Sequence, residues 1–287
     1  MVTLVLAIGF GLLIGLSLGA LGGGGSILTV PALVYALGER AQSATTASLV
    51  IVGVTAAAAT VGHARAGRVR WRAGLSFGVA GVAASFAGTA LNARVDPNLL
   101  LVCFAGLMLL VATAMLSKTL VRPKPDADPV EATADAEAAS LRRGPLTTLS
   151  RPAPSAAPAQ QRLTVAVALR VTIAGLVVGF LTGFLGVGGG FVIVPALVLL
   201  LADDMPTAVG TSLLIISLNS GVALLARSGS HAQFHWAVIA PFTIAAVAGS
   251  TGGKRIADRV SSTQLTRAFA VLLMLVATYV LGRALLG

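Results

Sequence analysis

Long stretches without Asp, Glu, Lys or Arg alternate along this chain with short charged loops. Uncharged runs cover 1–38, 41–64, 73–93 and 97–117, and then 171–202, 205–226, 228–253 and 268–282. A membrane-spanning helix takes about 20 mostly apolar residues. Most of these runs reach that length, and two are long enough for two passes. The pattern predicts five apolar segments in each half, at about 2–21, 25–38, 43–62, 72–92 and 99–118, and at about 167–186, 189–202, 207–226, 236–252 and 265–286. The second segment of each half is short and entered through glycines, as expected of a half-helix or re-entrant piece.

The halves match each other. GLSLGALGGGGSILTVPALV (15–34) returns as GFLTGFLGVGGGFVIVPALV (179–198) at an offset of 164 residues. After a one-residue insertion, Trp71 aligns with Trp236, Val95 with Val260 and Phe104 with Phe269. Such internal similarity marks a duplicated unit. The expected organisation is a first membrane repeat at 1–118, a linker at 119–166 and a second membrane repeat at 167–287. The linker is rich in Pro, Ala and charge, which suits a flexible connector, with room for a short helix near 129–143. The fold class expected is all-α, polytopic and membrane-embedded.

Composition sharpens this. Hydrophobic residues make up 56% of the chain and charged ones 10%, against about 25% charged in a soluble domain. The net charge of +10 would suggest nucleic acid in a soluble protein. Here the charges lie in loops between apolar runs, where cytoplasmic Lys and Arg collect, so the lipid bilayer and not nucleic acid is the partner expected. The N-terminal run lacks a positively charged leader region and has a counterpart in mid-chain, so it reads as the first membrane helix. The lone cysteine, Cys103, excludes an intrachain disulfide and reads as a packed core thiol. No metal or other cofactor is called for. His63, His231 and His235 fall after the third segments and read as solvated loop histidines; proton coupling is the alternative. The membrane runs hold no acidic residue.

Charge also predicts orientation. After the third segment the first half carries HARAGRVRWR, with Arg65, Arg68, Arg70 and Arg72. In the second half the basic cluster comes one segment later, at Lys254, Arg255, Arg259 and Arg267. If both clusters face the cytoplasm, the repeats are inverted and the linker is cytoplasmic; the alternative is parallel repeats with four crossings each. Trp71 and Trp236 open the fourth segments, where an indole suits the headgroup level.

The glycine clusters carry the candidate chemistry. Gly22, Gly24, Gly25 and Ser26, and correspondingly Gly186, Gly188, Gly189 and Gly190, break the helix and bring backbone close to a ligand or another helix. Broken backbone is not tolerated against lipid, so each break lines a cavity or lies buried in protein. The half-helix that follows presents free N–H groups and the positive end of its dipole, an anion site that needs no charged side chain. The plain alternative is close helix packing through small residues. Hydroxyl and amide groups on the third segments, Thr46 and Ser48 in the first half and Thr211, Ser212 and Asn219 in the second, are candidate hydrogen-bond donors to the same anion, or else interhelical bonds and helix caps. Pro31 and Pro195 are expected to be structural.

At these motifs the chain resembles the TauE/SafE family of sulfite and organosulfur-anion exporters. The resemblance rests on GGGGSILTVPAL and GVGGGFVIVPAL and on AVGTSLLIISLNS at 208–220, and covers both repeats. It implies a secondary transporter of small anions, sulfite or a sulfonate, across the cytoplasmic membrane, driven by a coupling ion that no residue identifies. The first repeat departs from the family pattern, with SATTASLVIVG at 43–53. The competing reading is a membrane-embedded assembly partner. An enzyme is disfavoured, because the spans offer no paired carboxylates and no nucleophile–base set.

Overall fold

A computed structural model describes residues 2–92, 94–121, 165–185, 190–226 and 235–286. These form helices joined by short turns, with no strand among the described residues. In order they are α1 (Val2–Leu21), α2 (Gly24–Pro31), α3 (Ala41–Arg65), α4 (Trp71–Asn92), α5 (Pro97–Val121), α6 (Val165–Leu185), α7 (Gly190–Leu200), α8 (Met205–Ala226), α9 (Trp236–Ala257) and α10 (Ser262–Leu286). Among the described residues seven helices are long and apolar enough to cross a membrane, and their outward faces carry exposed Val5, Val79, Phe86, Ile244 and Leu275. Exposed apolar faces on this scale suit lipid, not water. The protein is a polytopic all-α membrane protein. Residues 122–164, with most of the expected linker, lie outside the described residues, as do Gly186, Gly188, Gly189, Arg227 and His231.

α2 and α7 are short, with 8 and 11 residues. Pro31 has no N–H to give the helical ladder, and the chain widens directly after it into a π-helical turn, Ala32–Ala36. That turn ends at Gly38, with φ +69°, where the Glu39 N–H donates to the Leu33 carbonyl at 3.0 Å. The same device closes α7: Ala202 has φ +53°, and the Asp203 N–H donates to the Leu197 carbonyl at 3.2 Å. Pro195 sits within α7 and is buried.

Two of the helix pairs formed between the halves depend on missing side chains. In α1–α9, a Cβ on Gly15 would stand 2.0 Å from the Ala246 carbonyl oxygen, and one on Gly19 2.1 Å from that of Ser250. From the other side, a Cβ on Gly253 would stand 2.2 Å from the Leu16 oxygen. In α4–α6 the contacts recur at the aligned positions. A Cβ on Gly179 would lie 2.1 Å from the Gly81 oxygen, one on Gly183 2.1 Å from that of Ser85, and one on Gly88 2.2 Å from that of Phe180. Contacts advance in the same direction along both partners, so each pair is parallel. Small residues let backbones approach this closely in a membrane.

The α3–α8 pair is antiparallel. Arg70, just past the end of α3, pairs with Asp203, just before α8. At the opposite end Glu39, just before α3, meets His235 beyond α8, at 2.8 Å. The end marked by Arg70 also carries Arg65, Arg68, Lys254, Arg255 and Arg259. There Asp258 bonds both Arg68 and Lys254, so both basic clusters lie on one face. α5 packs against α10.

Two expectations need correction. Cys103 is exposed on α5, not packed in the core. His63 is no loop histidine. It is buried in the last turn of α3, with Nε2 3.2 Å from the Gly19 carbonyl oxygen of α1. The sequence places it beside a basic loop, but α3 continues through it to Arg65. His235 is exposed, as expected.

Candidate functional site

The two helix breaks meet. Gly22, at φ +75°, lets α1 reverse into α2; a Cβ there would stand 2.5 Å from Ser212 Oγ. A Cβ on Gly23 would stand 1.9 Å from the Gly190 carbonyl oxygen, and one on Gly190 2.6 Å from Ser26 Oγ. Ser26 and Gly190 occupy aligned positions, so the starts of α2 and α7 face one another. No side chain caps the start of α2, which leaves its first N–H groups without a side-chain acceptor.

Beside this junction opens a cavity of about 940 Å³. Ser26 and Gly190 line it, with Thr45 and Ser48 from the first half of α3 and Asn219 and Ser220 from the second half of α8. Ser85 and Thr89 near the end of α4, Thr182 of α6 and Tyr279 of α10 complete its polar lining, and Ile27, Leu49, Phe104, Ile193 and Ile216 are among its apolar walls. The portions of α3, α4, α6, α8 and α10 lie toward the Glu39–His235 end, while Ser26 and Gly190 meet where the two helix starts face each other. No charged side chain is among the described residues of its wall. Asn219 Oδ1 is buried and has no hydrogen-bond partner among the described residues. The hydroxyls of Ser26 and Ser48 donate to their own backbone, to the Gly23 and Thr45 carbonyls at 2.8 Å each. A hydroxyl rotor turns at little cost, so both can be redirected to a bound acceptor.

The other candidates lie off the cavity wall. Thr211 is fully buried, and its Oγ1 accepts the Arg70 N–H at 3.2 Å. Ser212 is fully buried, bonds the Val209 carbonyl at 2.8 Å and fills the space that Gly22 leaves open. Thr46 is buried in α3. Gly24 and Gly25 pack α2 onto its surroundings; a Cβ on Gly25 would stand 2.6 Å from the Ile14 carbonyl oxygen. Gly186, Gly188 and Gly189 fall outside the described residues. Sequence reasoning missed Ser85, Thr89 and Thr182. The signal was present in α4, where Gly81, Ser85 and Thr89 repeat every four residues and so share one face of a membrane helix.

The basic face is closed by charge pairs. The Asp258 carboxyl is held below the ordinary carboxylate range by the hydrogen bond from Lys254, with Arg68 adding to it. Asp203 behaves oppositely: burial pushes its carboxyl up, and Arg70 offsets this only in part. No group of His, Cys, Asp and Glu that could hold a metal ion occurs among the described residues.

The "Sulfite exporter TauE/SafE" family pattern matches residues 7–280. A protein of Xylella fastidiosa strain Temecula1, named "Probable membrane transporter protein", is 32% identical over 98% of this chain and 96% of its own length. "Probable membrane transporter protein YunE" of Bacillus subtilis strain 168 is 24% identical over 95% of this chain and 93% of its own. No solved structure matches. A continuous match across both helix breaks, with relatives of nearly equal length, leads to one assignment: the chain belongs to the TauE/SafE family of membrane transporters.

Proposed function

We propose that the chain carries a small anion, sulfite or an organosulfonate, across the cytoplasmic membrane, and that the cavity beside the two helix breaks is its site. The observation that carries this reading is the cavity itself, which has hydroxyl and amide groups and two facing helix starts but no charged side chain among the described residues of its wall. Helix N-termini attract anions through their free N–H groups and dipole. Ser26, Ser48 and Asn219 complete the binding set; a half-turn of the Asn219 amide points N–H donors at the anion. Thr46, Thr211 and Ser212 are buried off the cavity wall and act in packing the helices that carry this set. Gly186, Gly188 and Gly189, outside the described residues, are assigned to the same site on the sequence alone. An open cavity lined by Ser26, Ser48 and Asn219 at the facing helix starts favours this reading over a dry glycine interface and so over an assembly partner. The basic face is cytoplasmic by the positive-inside rule. The linker joins α5 and α6 at that face, and the cavity belongs to the outer half.

The test is flux of radiolabelled sulfite in proteoliposomes, with and without an imposed pH gradient. A hydrogen bond to a charged group contributes about 1.5–3 kcal/mol, so Asn219→Leu is expected to lower flux about 10-fold or more, with the protein still folded. Wild-type flux no greater than that of empty liposomes, or an unchanged Asn219→Leu, would overturn the assignment. Gradient dependence would identify the coupling ion.

A further inference from the structure

Alternating access needs two bodies that move against each other, and the two halves of the sequence are the obvious candidates. The packing does not suit them. α9, from the second half, is locked to α1 by backbone contacts that leave no room for a Cβ at Gly15, Gly19 or Gly253. α4, from the first half, is locked to α6 in the same way at Gly88, Gly179 and Gly183. Interfaces this close have discrete arrangements and do not slide. Rocking one sequence half against the other would tear both seams.

Resting on the transport reading above, we propose that the moving parts are two crossed bodies, one made of α1, α2, α3 and α9 and the other of α6, α7, α8 and α4. Each body is tied by its own contacts. In the first, His63 bonds the Gly19 carbonyl, Gly62 lies against Lys254, and Glu39 meets His235. In the second, Arg70 pairs with Asp203, the Arg70 N–H donates to Thr211, and Asn92 Nδ2 donates to the Phe184 carbonyl at 2.6 Å. Glu39 aligns with Asp203, and His235 with Arg70, so the two ties are one device used twice.

Between the bodies the contact is different. Along α3–α8 a Cβ on Gly53 would lie 3.0 Å from Ser220 Cβ, a side-chain contact and not a backbone lock. The cavity lies along this seam, lined by Ser48 of α3 and by Asn219 and Ser220 of α8 toward the Glu39–His235 face. On the other face Arg68, whose carbonyl oxygen lies 2.3 Å from where a Cβ on Gly210 of α8 would stand, reaches across to Asp258 of α9. Backbone touches backbone between the bodies at Gly23 and Gly190. That contact is the fulcrum, and it coincides with the proposed anion site.

Cross-linking separates the two assignments. In a Cys103→Ser background, Glu39→Cys/His235→Cys and Arg70→Cys/Asp203→Cys are bridged with a short bifunctional thiol-reactive reagent, a bis-methanethiosulfonate that releases methanesulfinate at each thiol, and Gly53→Cys/Ser220→Cys is oxidised to a disulfide. Flux is compared before and after bridging in each variant. The ties within a body are expected to leave at least about half the flux, while the α3–α8 disulfide lowers it about 10-fold and reduction restores it. Arg68→Cys/Asp258→Cys, bridged with the same reagent, crosses between the bodies at exposed loops and gives the same 10-fold loss if the disulfide pair fails to fold. A bridge within either body that stops flux, or inter-body bridges that leave it unchanged, would overturn the crossed bodies and restore the sequence halves. Absence of wild-type flux for sulfite and alkanesulfonates would instead remove the transport reading, and with it any moving bodies.

Discussion

The two ends of the α3–α8 pair are built from the same kind of sequence and do different things. At the basic end, Thr211 and Ser212 of α8 are fully buried and their hydroxyls are spent on protein partners. At the other end, Ser48 of α3 and Asn219 of α8 line the cavity, and the Asn219 oxygen has no partner among the described residues. Ser212 and Ser48 are aligned residues in the two halves, yet one fills space behind a helix break and the other faces open volume. A duplicated motif therefore does not yield two equal half-sites. One copy is used for packing while the other is used for the cavity, as an asymmetric state of two opposed bodies requires.

The largest effect that can break this comparison is at Gly22. It combines a left-handed backbone with a Cβ position 2.5 Å from Ser212 Oγ. Gly22→Leu adds backbone strain of about 1–2 kcal/mol to overpacking of about 1–3 kcal/mol. Purified protein is expected to be lost or strongly destabilised, as read by thermal unfolding in detergent. A Gly22→Leu protein with unchanged melting and lost flux would instead put Gly22 in the cavity's chemistry and erase the distinction between the ends.

Thr211→Val gives a smaller effect and sharpens the comparison. The valine keeps the volume but leaves the Arg70 N–H without its acceptor, which costs about 1–3 kcal/mol. Stability falls while flux per folded protein stays within about 3-fold. Asn219→Leu is expected to behave in the opposite way. If Thr211→Val lowers flux as much as Asn219→Leu at equal stability, the anion reaches the basic end and the cavity outlined here is only part of the path.

Much of this was legible in the sequence. Helix positions followed from uncharged runs, because a bilayer fixes helix length. The breaks followed from consecutive glycines, and the two basic loops do lie on one face. Side-chain direction was not legible. AVGTSLLIISLNS reads as one polar-studded segment, but its first turns face the α4 start and its last face the cavity, a difference set by how α8 crosses α3. His63 was misplaced because a basic loop follows it, although the helix runs on to Arg65. Cys103 sits in an apolar run that faces outward, and in a membrane protein the outward face is apolar too. The pairing of α1 with α9 and of α4 with α6 needs tertiary contacts that no local pattern contains.

The smallest effect concerns the turns that start the two helices. Gly38 precedes α3 at the cavity end and Ala202 precedes α8 at the basic end, both with positive φ. Glycine adopts that conformation freely, whereas a residue with a Cβ is penalised by about 1–2 kcal/mol. Greater freedom of glycine in the unfolded chain offsets part of the gain. Ala202→Gly is therefore expected to stabilise the protein by up to about 1 kcal/mol, and Gly38→Ala to destabilise it by a similar amount. The two melting shifts should be opposite in sign. Flux is the sharper readout, because the turn at Gly38 holds Glu39 beside His235 and the turn at Ala202 holds Asp203 beside Arg70. If these turns only start helices and hold ties within a body, both variants keep wild-type flux per folded protein. If Ala202→Gly raises stability and lowers flux, the strained turn takes part in the motion, and the basic end is as mobile as the cavity end.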